Sequence, residues 1–185
     1  MIISGSSGAG KSTVINELLK TDKFTFLPTM STRAMRPGET NGNPYFFVSF
    51  EEFRKRIANG EFIEWERVHG ENYYGTHRQT LHEMIESGKI LIKDIDVLGT
   101  HNLKNILREQ DFPCVSIFLT ADKEVLRERL IGRGELNIDG RLARYEMELV
   151  HAKYYDYVIK NLDKDQTVSA ILAIAEKMKK VTGEN

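Results

Sequence analysis

The first thirteen residues, MIISGSSGAGKST, constrain the fold more than any other stretch of this chain. Gly5, Gly10, Lys11 and Ser12 match the pattern G-x-x-x-x-G-K-[ST]. Glycines allow positive φ angles, so backbone N–H groups of this loop can close around phosphate oxygens. Lys11 would then reach the β- and γ-phosphates of a nucleotide, while the Ser12 hydroxyl would be offered to Mg²⁺. The stretch therefore predicts a phosphate-binding loop.

The residues on either side of the loop support this prediction. An apolar run precedes it and predicts a buried strand, and a helix is predicted from Ser12 to about Lys20, with its partial positive end toward the anion. A glycine-rich turn that happens to stand beside a lysine is the alternative, and the strand–loop–helix order argues against it. The residues predicted to surround the nucleotide phosphates are Gly5, Ser6, Ser7, Gly8, Ala9, Gly10, Lys11, Ser12 and Thr13.

Composition limits the classes of partner. The 185 residues suffice for one ordinary core with a small insertion. The net charge of −1 does not favour nucleic acid or a membrane as a partner, and no apolar run is long enough to span a bilayer. Cys114 is the only cysteine, which indicates a reduced compartment, and the N-terminus does not resemble a signal peptide. We therefore expect a cytoplasmic protein.

Apolar strands alternate with amphipathic helices along most of the chain. This order predicts an α/β fold with a parallel sheet flanked by helices. The composition changes between residues 31 and 77, where turn signals separate short β segments, so we expect a small, mostly β insertion there. The core would then comprise residues 1–30 and 78–185.

A glycine- and charge-rich interruption, Gly132–Gly140, separates helices predicted over Asp122–Ile131 and Arg141–His151. Arg129 and Arg133 lie at its start, and a guanidinium matches phosphate oxygens two at a time. The segment within about 129–145 therefore suits a mobile lid, with an ordinary solvated face as the alternative. Four other charged residues on these helices are expected to be surface charges: Arg127, Glu128, Arg144 and Glu148.

Three carboxylates also suggest chemistry. Asp94 and Asp96 stand at the carboxyl end of a predicted buried strand, where ligands bind in doubly wound sheets. Asp94 is the natural partner, with Ser12, for a hydrated Mg²⁺ held by nucleotide phosphates, whereas Asp96 could instead begin the next helix. Glu64 lies between Phe62 and Trp65, so a buried carboxylate there needs hydrogen-bond donors.

Taken together, these residues resemble the guanylate kinases, P-loop nucleoside monophosphate kinases that transfer the γ-phosphoryl group of ATP to GMP. The resemblance covers essentially the whole chain. It rests on blocks that follow the order of the family: Ser4–Thr13, Ser31–Glu39, Tyr45–Ser49, Gly60–Trp65, Asn72–Thr76, Asp94–Asp96, Arg129–Gly134 and Tyr155–Ile159. It implies a P-loop NTPase-type sheet, a GMP-binding insertion and a short helical lid.

The resemblance also implies roles for individual residues. Those similar to the family's GMP site, which would also accept dGMP, are Thr29, Arg33, Arg36, Tyr45, Glu64, Tyr74, Thr76 and Asp96. Those similar to its catalytic groups are Lys11, Arg36, Arg129, Arg133 and Arg141, with Asn161 near the adenine of ATP and Mg²⁺ as the cofactor. Guanine presents N1–H and N2–H₂ side by side, so the Glu64 carboxylate could accept both, whereas adenine has an acceptor at N1. The segment from Arg133 to Arg141 is shorter than is usual in the family.

Two alternatives remain. A related P-loop kinase for another phosphorylated acceptor, such as a ribose bisphosphate, would need the loop but not Glu64, Tyr45, Tyr74 and Thr76 together. A non-catalytic guanylate-kinase-like binding module would usually lack an intact P-loop. The sequence does not determine whether the protein is a monomer or a homo-oligomer.

Overall fold

The computed structural model describes residues 1–36, 38–68 and 72–182, so Pro37 of the block Ser31–Glu39 lies outside the described residues. The strands are β1 (Ile2–Gly5), β2 (Phe24–Phe26), β3 (Thr29–Ser31), β4 (Thr40–Asn41), β5 (Pro44–Phe47), β6 (Phe62–Val68), β7 (Asn72–His77), β8 (Ile90–Asp94), β9 (Ser116–Thr120) and β10 (Tyr157–Lys160). The α-helices are α1 (Lys11–Leu19), α2 (Phe50–Ala58), α3 (Arg78–Ile85), α4 (Val97–Glu109), α5 (Lys123–Gly132), α6 (Ile138–His151) and α7 (Lys164–Thr182). A short 3₁₀ helix, Ala152–Tyr154, follows α6.

Residue contacts divide the chain into two units. The first consists of Met1–Lys23 and the chain from Asp94 onward, and the second is Phe24–Lys93. The sequence predicts a GMP-binding insertion at residues 31–77 in a core of residues 1–30 and 78–185. This assignment of segments to ligands stays a prediction.

The sheet of the first unit positions the phosphate loop. β1 and β10 both pair in parallel with β9, giving the order β10-β9-β1, with Gly5 opposite Leu119. Every residue of β1 and β9 is buried. Continuous apolar runs are typical of parallel strands that helices cover, and here α1 and α4 pack against β1. The predicted parallel α/β sheet is thus confirmed. None of the helices in the described part of the chain is long and apolar enough to cross a membrane.

Helix α6 begins three residues earlier than predicted, at Ile138 instead of Arg141. The Asn137 side chain accepts a hydrogen bond from the Gly140 N–H at 3.1 Å and so caps the helix. Gly140 was expected in the interruption because glycine is a poor helix former, but the cap stabilises it in the first turn. The interruption is correspondingly shorter, and Arg141 lies inside the helix.

The second unit carries most of the residues predicted to bind GMP. It contains a parallel pair, β2 and β8, and a five-stranded sheet of order β4-β5-β3-β7-β6. Phe53 of α2 is fully buried and stacks on Phe62 of β6, with ring centroids 4.3 Å apart. Ser49 caps α2 by accepting a hydrogen bond from the Glu52 N–H at 3.1 Å. Between residues 31 and 77 the described elements of this unit are mostly strands, and the assignment of that segment as an insertion stays a prediction.

Candidate active site

The loop between β1 and α1 has the geometry of an anion cradle. Gly5 has a φ of 145°, and a Cβ at this position would stand 1.9 Å from the Leu119 carbonyl oxygen, so only glycine fits. Gly10 has a φ of 84° and forms the N-cap of α1. Within the described part of the chain no side chain caps α1, and no acidic residue occupies its first turn. The N–H groups and the positive end of the helix dipole at this terminus are therefore suited to an anion.

Lys11 lies across this loop. Its Nζ atom donates a hydrogen bond to the Gly5 carbonyl oxygen at 2.7 Å. The ammonium group is thus held beside the same N–H groups that would surround a phosphate, as its predicted role requires.

Asn161, which follows β10, ties the loop to the rest of the first unit. Its Nδ2 donates to the Ala9 carbonyl oxygen at 2.7 Å, and its Oδ1 accepts from the Thr167 hydroxyl at 2.9 Å. Its backbone oxygen accepts from Arg129 Nη2, also at 2.9 Å. Asn161 is 4% exposed and its amide is engaged on both sides, so it fixes the loop and Arg129. Its predicted contact with ATP stays a prediction.

Several polar atoms around the loop are buried without a hydrogen-bond partner among the described residues. They include Arg129 Nη1 and Ser6 Oγ. Leaving such atoms unpaired is costly, so a group that pairs with them is expected. A phosphate oxygen would pair with Nη1 of the charged guanidinium. A cavity of about 400 Å³ is lined by Gly8, Gly10, Thr13, Arg129, Arg133, Asn161, Leu162 and Lys164.

The two other predicted lid arginines meet at one carboxylate. Glu135 Oε2 is 3.4 Å from Arg133 Nη2 and 3.3 Å from Arg141 Nε. The hydrogen bond from the Asn137 N–H and the charges of Arg141 and Arg133 hold the pKa of Glu135 below its ordinary value. The role of Glu135 was not predicted, because the sequence of a charge-rich segment does not indicate which arginines a given carboxylate will pair with.

Glu148 of α6 is not the surface charge that was expected. Its side chain is half-buried, and Oε2 has no hydrogen-bond partner among the described residues. Burial raises the pKa of Glu148 above its ordinary value, although the charges of Lys11 and Arg144 and the Ser7 N–H oppose this shift. The carboxylate therefore belongs to the surroundings of the phosphate loop.

The two aspartates differ in what they contact. Asp96 is the N-cap of α4, and its Oδ1 accepts from the Gly99 N–H at 2.8 Å. The sequence left this capping role open, and the predicted contact with guanine stays a prediction. Asp94 ends β8, and the predicted magnesium role that it shares with Ser12 is likewise a prediction.

The resemblance to the family implies that Arg33, Arg36, Tyr45 and Tyr74 form a clamp on the GMP phosphate. Strand pairing in the second unit brings the two tyrosines of this phosphate clamp together. β3 pairs with β5 on one side and with β7 on the other, placing Thr29 opposite Tyr45 and Ser31 opposite Tyr74. The Tyr45 and Tyr74 rings meet edge to face, with centroids 6.1 Å apart. The Arg33 guanidinium lies over the Tyr45 ring, 4.7 Å from its centroid. Three of the predicted GMP residues are thus neighbours.

Glu39 holds the arginines of this clamp in place, a role that the sequence analysis did not identify. Its two carboxylate oxygens accept from Arg33 Nη1 at 2.7 Å and from Nη2 at 2.6 Å, and Oε2 also accepts from the Arg36 N–H at 2.8 Å. The bond to Arg33 is the main reason that the pKa of Glu39 is lowered to about 2. The Arg36 side chain is exposed.

Glu39 leaves one edge of Arg33 open to a ligand. The carboxylate takes one N–H from each terminal nitrogen, and the Ala34 carbonyl oxygen takes a second from Nη1 at 2.8 Å. A guanidinium has five N–H donors, so the Nε–H and one Nη2–H, on the adjacent edge, have no hydrogen-bond partner among the described residues. That pair is spaced for two oxygens of one phosphate.

Glu64 and Thr76 form a second polar pair in this unit. They stand opposite each other on the antiparallel strands β6 and β7. The buried Thr76 hydroxyl donates to Glu64 Oε1 at 2.5 Å. The donor that Glu64 was predicted to need is therefore present, and the other lone pairs of the carboxylate can accept from a ligand.

A parallel sheet flanked by helices, with a glycine loop leading from β1 into the N-terminus of α1, defines a P-loop nucleotide-binding protein. A family model described as guanylate kinase matches residues 1–178. The chain belongs to the guanylate kinase family.

Individual relatives agree with the family match. The guanylate kinase of Helicobacter hepaticus is 39% identical over 97% of this chain and 90% of its own length. That of Thermotoga maritima is 39% identical over 94% of this chain and 84% of its own length. The crystal structure of guanylate kinase from Anaplasma phagocytophilum superimposes with a TM-score of 0.74 at 34% identity, covering 96% of this chain and 84% of that one.

Proposed function

We propose that the protein transfers the γ-phosphoryl group of ATP to GMP, and also to dGMP, giving ADP and GDP or dGDP. The observation that carries this proposal is the combination, in a chain of this family, of an intact phosphate loop with the Glu64–Thr76 pair. A kinase for another phosphorylated acceptor would not need the Glu64–Thr76 pair, and a non-catalytic binding module would not need the phosphate loop.

The donor nucleotide is assigned to the first unit. Its phosphates are bound by N–H groups of the loop at Gly8–Thr13 and by Lys11, and Arg129 pairs through the nitrogen that is now unpartnered. Among the described residues no three His, Cys, Asp or Glu side chains are grouped so as to hold a metal ion. Ser12 and Asp94 would therefore hold Mg²⁺ together with water and the nucleotide phosphates, and the ion would neutralise phosphate charge.

The acceptor nucleotide is assigned to the second unit, and Asp96 remains a further residue predicted to contact guanine. Arg33, Arg36, Tyr45 and Tyr74 bind the phosphate of GMP, with Arg36 also near the transferring group. The Glu64 carboxylate accepts the guanine N1–H and N2–H₂, and Thr76 holds it in position. Adenine would leave this carboxylate facing an acceptor, and such a mismatch can reduce kcat/KM by roughly 10⁴-fold.

Transfer is direct and in line, because the site offers positively charged groups and no covalent nucleophile is required. Lys11, Arg36 and the three lid arginines neutralise the charge that develops on the transferring group. Arg133 and Arg141 exchange Glu135 for phosphate oxygens when the nucleotides are bound. Closure of the lid then excludes water, which would otherwise accept the phosphoryl group.

A coupled ADP-release assay with ATP and Mg²⁺ tests the proposal, with GMP, dGMP, AMP, UMP, CMP and ribose 1,5-bisphosphate offered one at a time. We expect ADP release with GMP and dGMP only. ADP release with the sugar phosphate alone would mean that the acceptor is ribose 1,5-bisphosphate and not GMP. If no acceptor gave ADP release, the result would favour a non-catalytic binding module.

Glu39 provides a prediction for the phosphate clamp. We expect Glu39→Gln to raise the KM for GMP about tenfold with a smaller change in kcat, because the amide oxygen and nitrogen cannot both accept from the Arg33 guanidinium and the Arg36 backbone N–H loses a charged acceptor. Steady-state kinetics with varied GMP measure this. Glu51→Gln, an exposed carboxylate of the same unit, is the control. An equal KM in the two variants would show that Glu39 does not position the clamp.

The predicted cytoplasmic location, and the expectation that neither nucleic acid nor a membrane is a partner, rest on composition and stay predictions.

A further inference from the structure

Lys93 is a buried ammonium in β8, where it directly follows three apolar residues. It is the fourth residue of β8 and is 2% exposed. Its Nζ donates to the Thr29 hydroxyl oxygen at 2.7 Å and to the Pro28 carbonyl oxygen at 3.2 Å. Burial of an ammonium is unfavourable unless hydrogen bonds compensate. Here Thr29, the first residue of β3, supplies one of these bonds.

The bond between Lys93 and Thr29 can have only one direction. An ammonium has three donors and no acceptor, so the Thr29 oxygen must accept. A threonine hydroxyl carries a single hydrogen, and this hydrogen is the one that the side chain can offer to another group. Thr29 is half-buried and stands opposite Tyr45, a residue of the proposed acceptor site. Lys93 therefore presents Thr29 to a ligand as a hydrogen-bond donor.

We infer that Lys93 is a positioning residue for base specificity: it fixes the Thr29 hydroxyl as a donor to O6 of guanine. This inference rests on the proposed function, in which Thr29 belongs to the GMP site. Guanine has acceptors at O6 and N7, whereas adenine keeps N7 but has an amino donor at C6. A protein group that donates a hydrogen bond to position 6 therefore distinguishes guanine from adenine.

Thr29 and Glu64 then read opposite properties of the same base. The Glu64 carboxylate only accepts, and it suits the N1–H and N2–H₂ donors of guanine. The Thr29 hydroxyl, with its oxygen engaged by Lys93, donates to O6. The Thr29 oxygen keeps a second lone pair, but an amino group that donated to it would bring its hydrogens beside the Lys93 ammonium, which is unfavourable. Without the ammonium the hydroxyl could turn and accept from an amino group at no such cost. Lys93 thus disfavours one way in which AMP could be accommodated.

The experiment compares GMP with 6-thio-GMP, in which the O6 acceptor is replaced by sulfur, a weak acceptor. We expect the wild-type protein to prefer GMP by about tenfold in kcat/KM, the effect of one lost hydrogen bond. Lys93→Met keeps the length and apolar stem of the side chain, and we expect it to bring this ratio to about 2 or less. We expect Lys89→Met, an exposed lysine just before the same strand, to keep the wild-type ratio.

Variants of Thr29 and a second analogue make the test specific. Thr29→Val should lower the ratio as Lys93→Met does, the double variant should lower it no further, and Thr29→Ser should keep it. The ratio of GMP to 7-deaza-GMP should be the same in all variants. Circular dichroism and thermal unfolding confirm that each variant is folded. If Lys93→Met does not fold, the Thr29 variants test the inference instead. An unchanged ratio of kcat/KM for GMP over 6-thio-GMP in Thr29→Val would overturn it.

The outcomes separate this inference from the function on which it rests. A wild-type protein that does not phosphorylate GMP would contradict the proposed function itself. If the wild type uses GMP but Lys93→Met keeps its preference over 6-thio-GMP, then Lys93 supports only the fold, and the inference is wrong. A changed ratio for 7-deaza-GMP would also overturn it, because the hydroxyl would then contact N7.

Discussion

Replacing Lys11 with methionine is expected to reduce phosphoryl transfer to GMP by about 10³-fold or more, because the ammonium neutralises charge on the transferring phosphoryl group. Methionine keeps an unbranched stem of similar length and removes only the charge and the 2.7 Å bond to the Gly5 carbonyl oxygen. That bond is partly exposed, so the midpoint of thermal unfolding should change by only a few degrees, as is typical of a loss of about 1 kcal/mol.

Single-turnover and steady-state rates measure this effect, and thermal unfolding with and without ATP reports on binding. Lys20→Met is a suitable control, because Lys20 lies at the exposed end of the same helix, where its ammonium pairs with Glu17. A Lys11→Met protein that kept a near-normal rate would show that the loop is not the site of transfer.

The second large effect is expected at Glu64. We expect Glu64→Gln to lower kcat/KM for GMP by roughly 10²-fold or more while changing the low activity with AMP much less, so the preference for GMP shrinks. The amide would turn an N–H₂ group or a single oxygen toward two guanine donors, leaving at least one of them unpaired. Thr76 can still donate to the amide oxygen, so the β6–β7 pair should stay intact.

The preference is measured as the ratio of kcat/KM values for GMP and AMP. Glu83→Gln on α3 is the matched control, since it removes an exposed carboxylate from the same unit. An unchanged ratio in Glu64→Gln would remove this residue from the base site and leave the clamp as the basis of acceptor choice.

Local sequence patterns predicted the elements but not all of their contacts. The loop at Gly5–Ser12 could be recognised because its conformational demands are local and only glycine satisfies them. The pairing of β3 with β5 and β7 brings Tyr45 and Tyr74 together. This pairing joins distant parts of the chain, so residue spacing alone could not predict it. A donor for Glu64 could be anticipated from chemistry, although Thr76 was placed in the site only by resemblance to the family.

Helix α6 shows why Glu148 was misjudged. Apolar side chains usually mark the covered face of a helix, but Met147 and Val150 are 55% and 63% exposed here. The covered face contains Leu142, Tyr145 and Glu148 at intervals of three residues, a helical stripe with a carboxylate at its end. Glu39 could have been inferred, since it lies three residues after Arg36 in a turn, whereas nothing local indicated that Lys93 would meet Thr29.

The Asn161 amide has a consequence for how the protein becomes functional during synthesis. It joins Ala9 to a residue 152 positions later, and its own position depends on Thr167 in α7. During synthesis the nucleotide loop therefore leaves the ribosome well before the side chain that secures it. Domains generally fold as units once enough chain has emerged. A nascent chain that has exposed the loop but not α7 therefore lacks the contacts that secure the loop. We expect such a chain to bind ATP poorly until α7 has emerged.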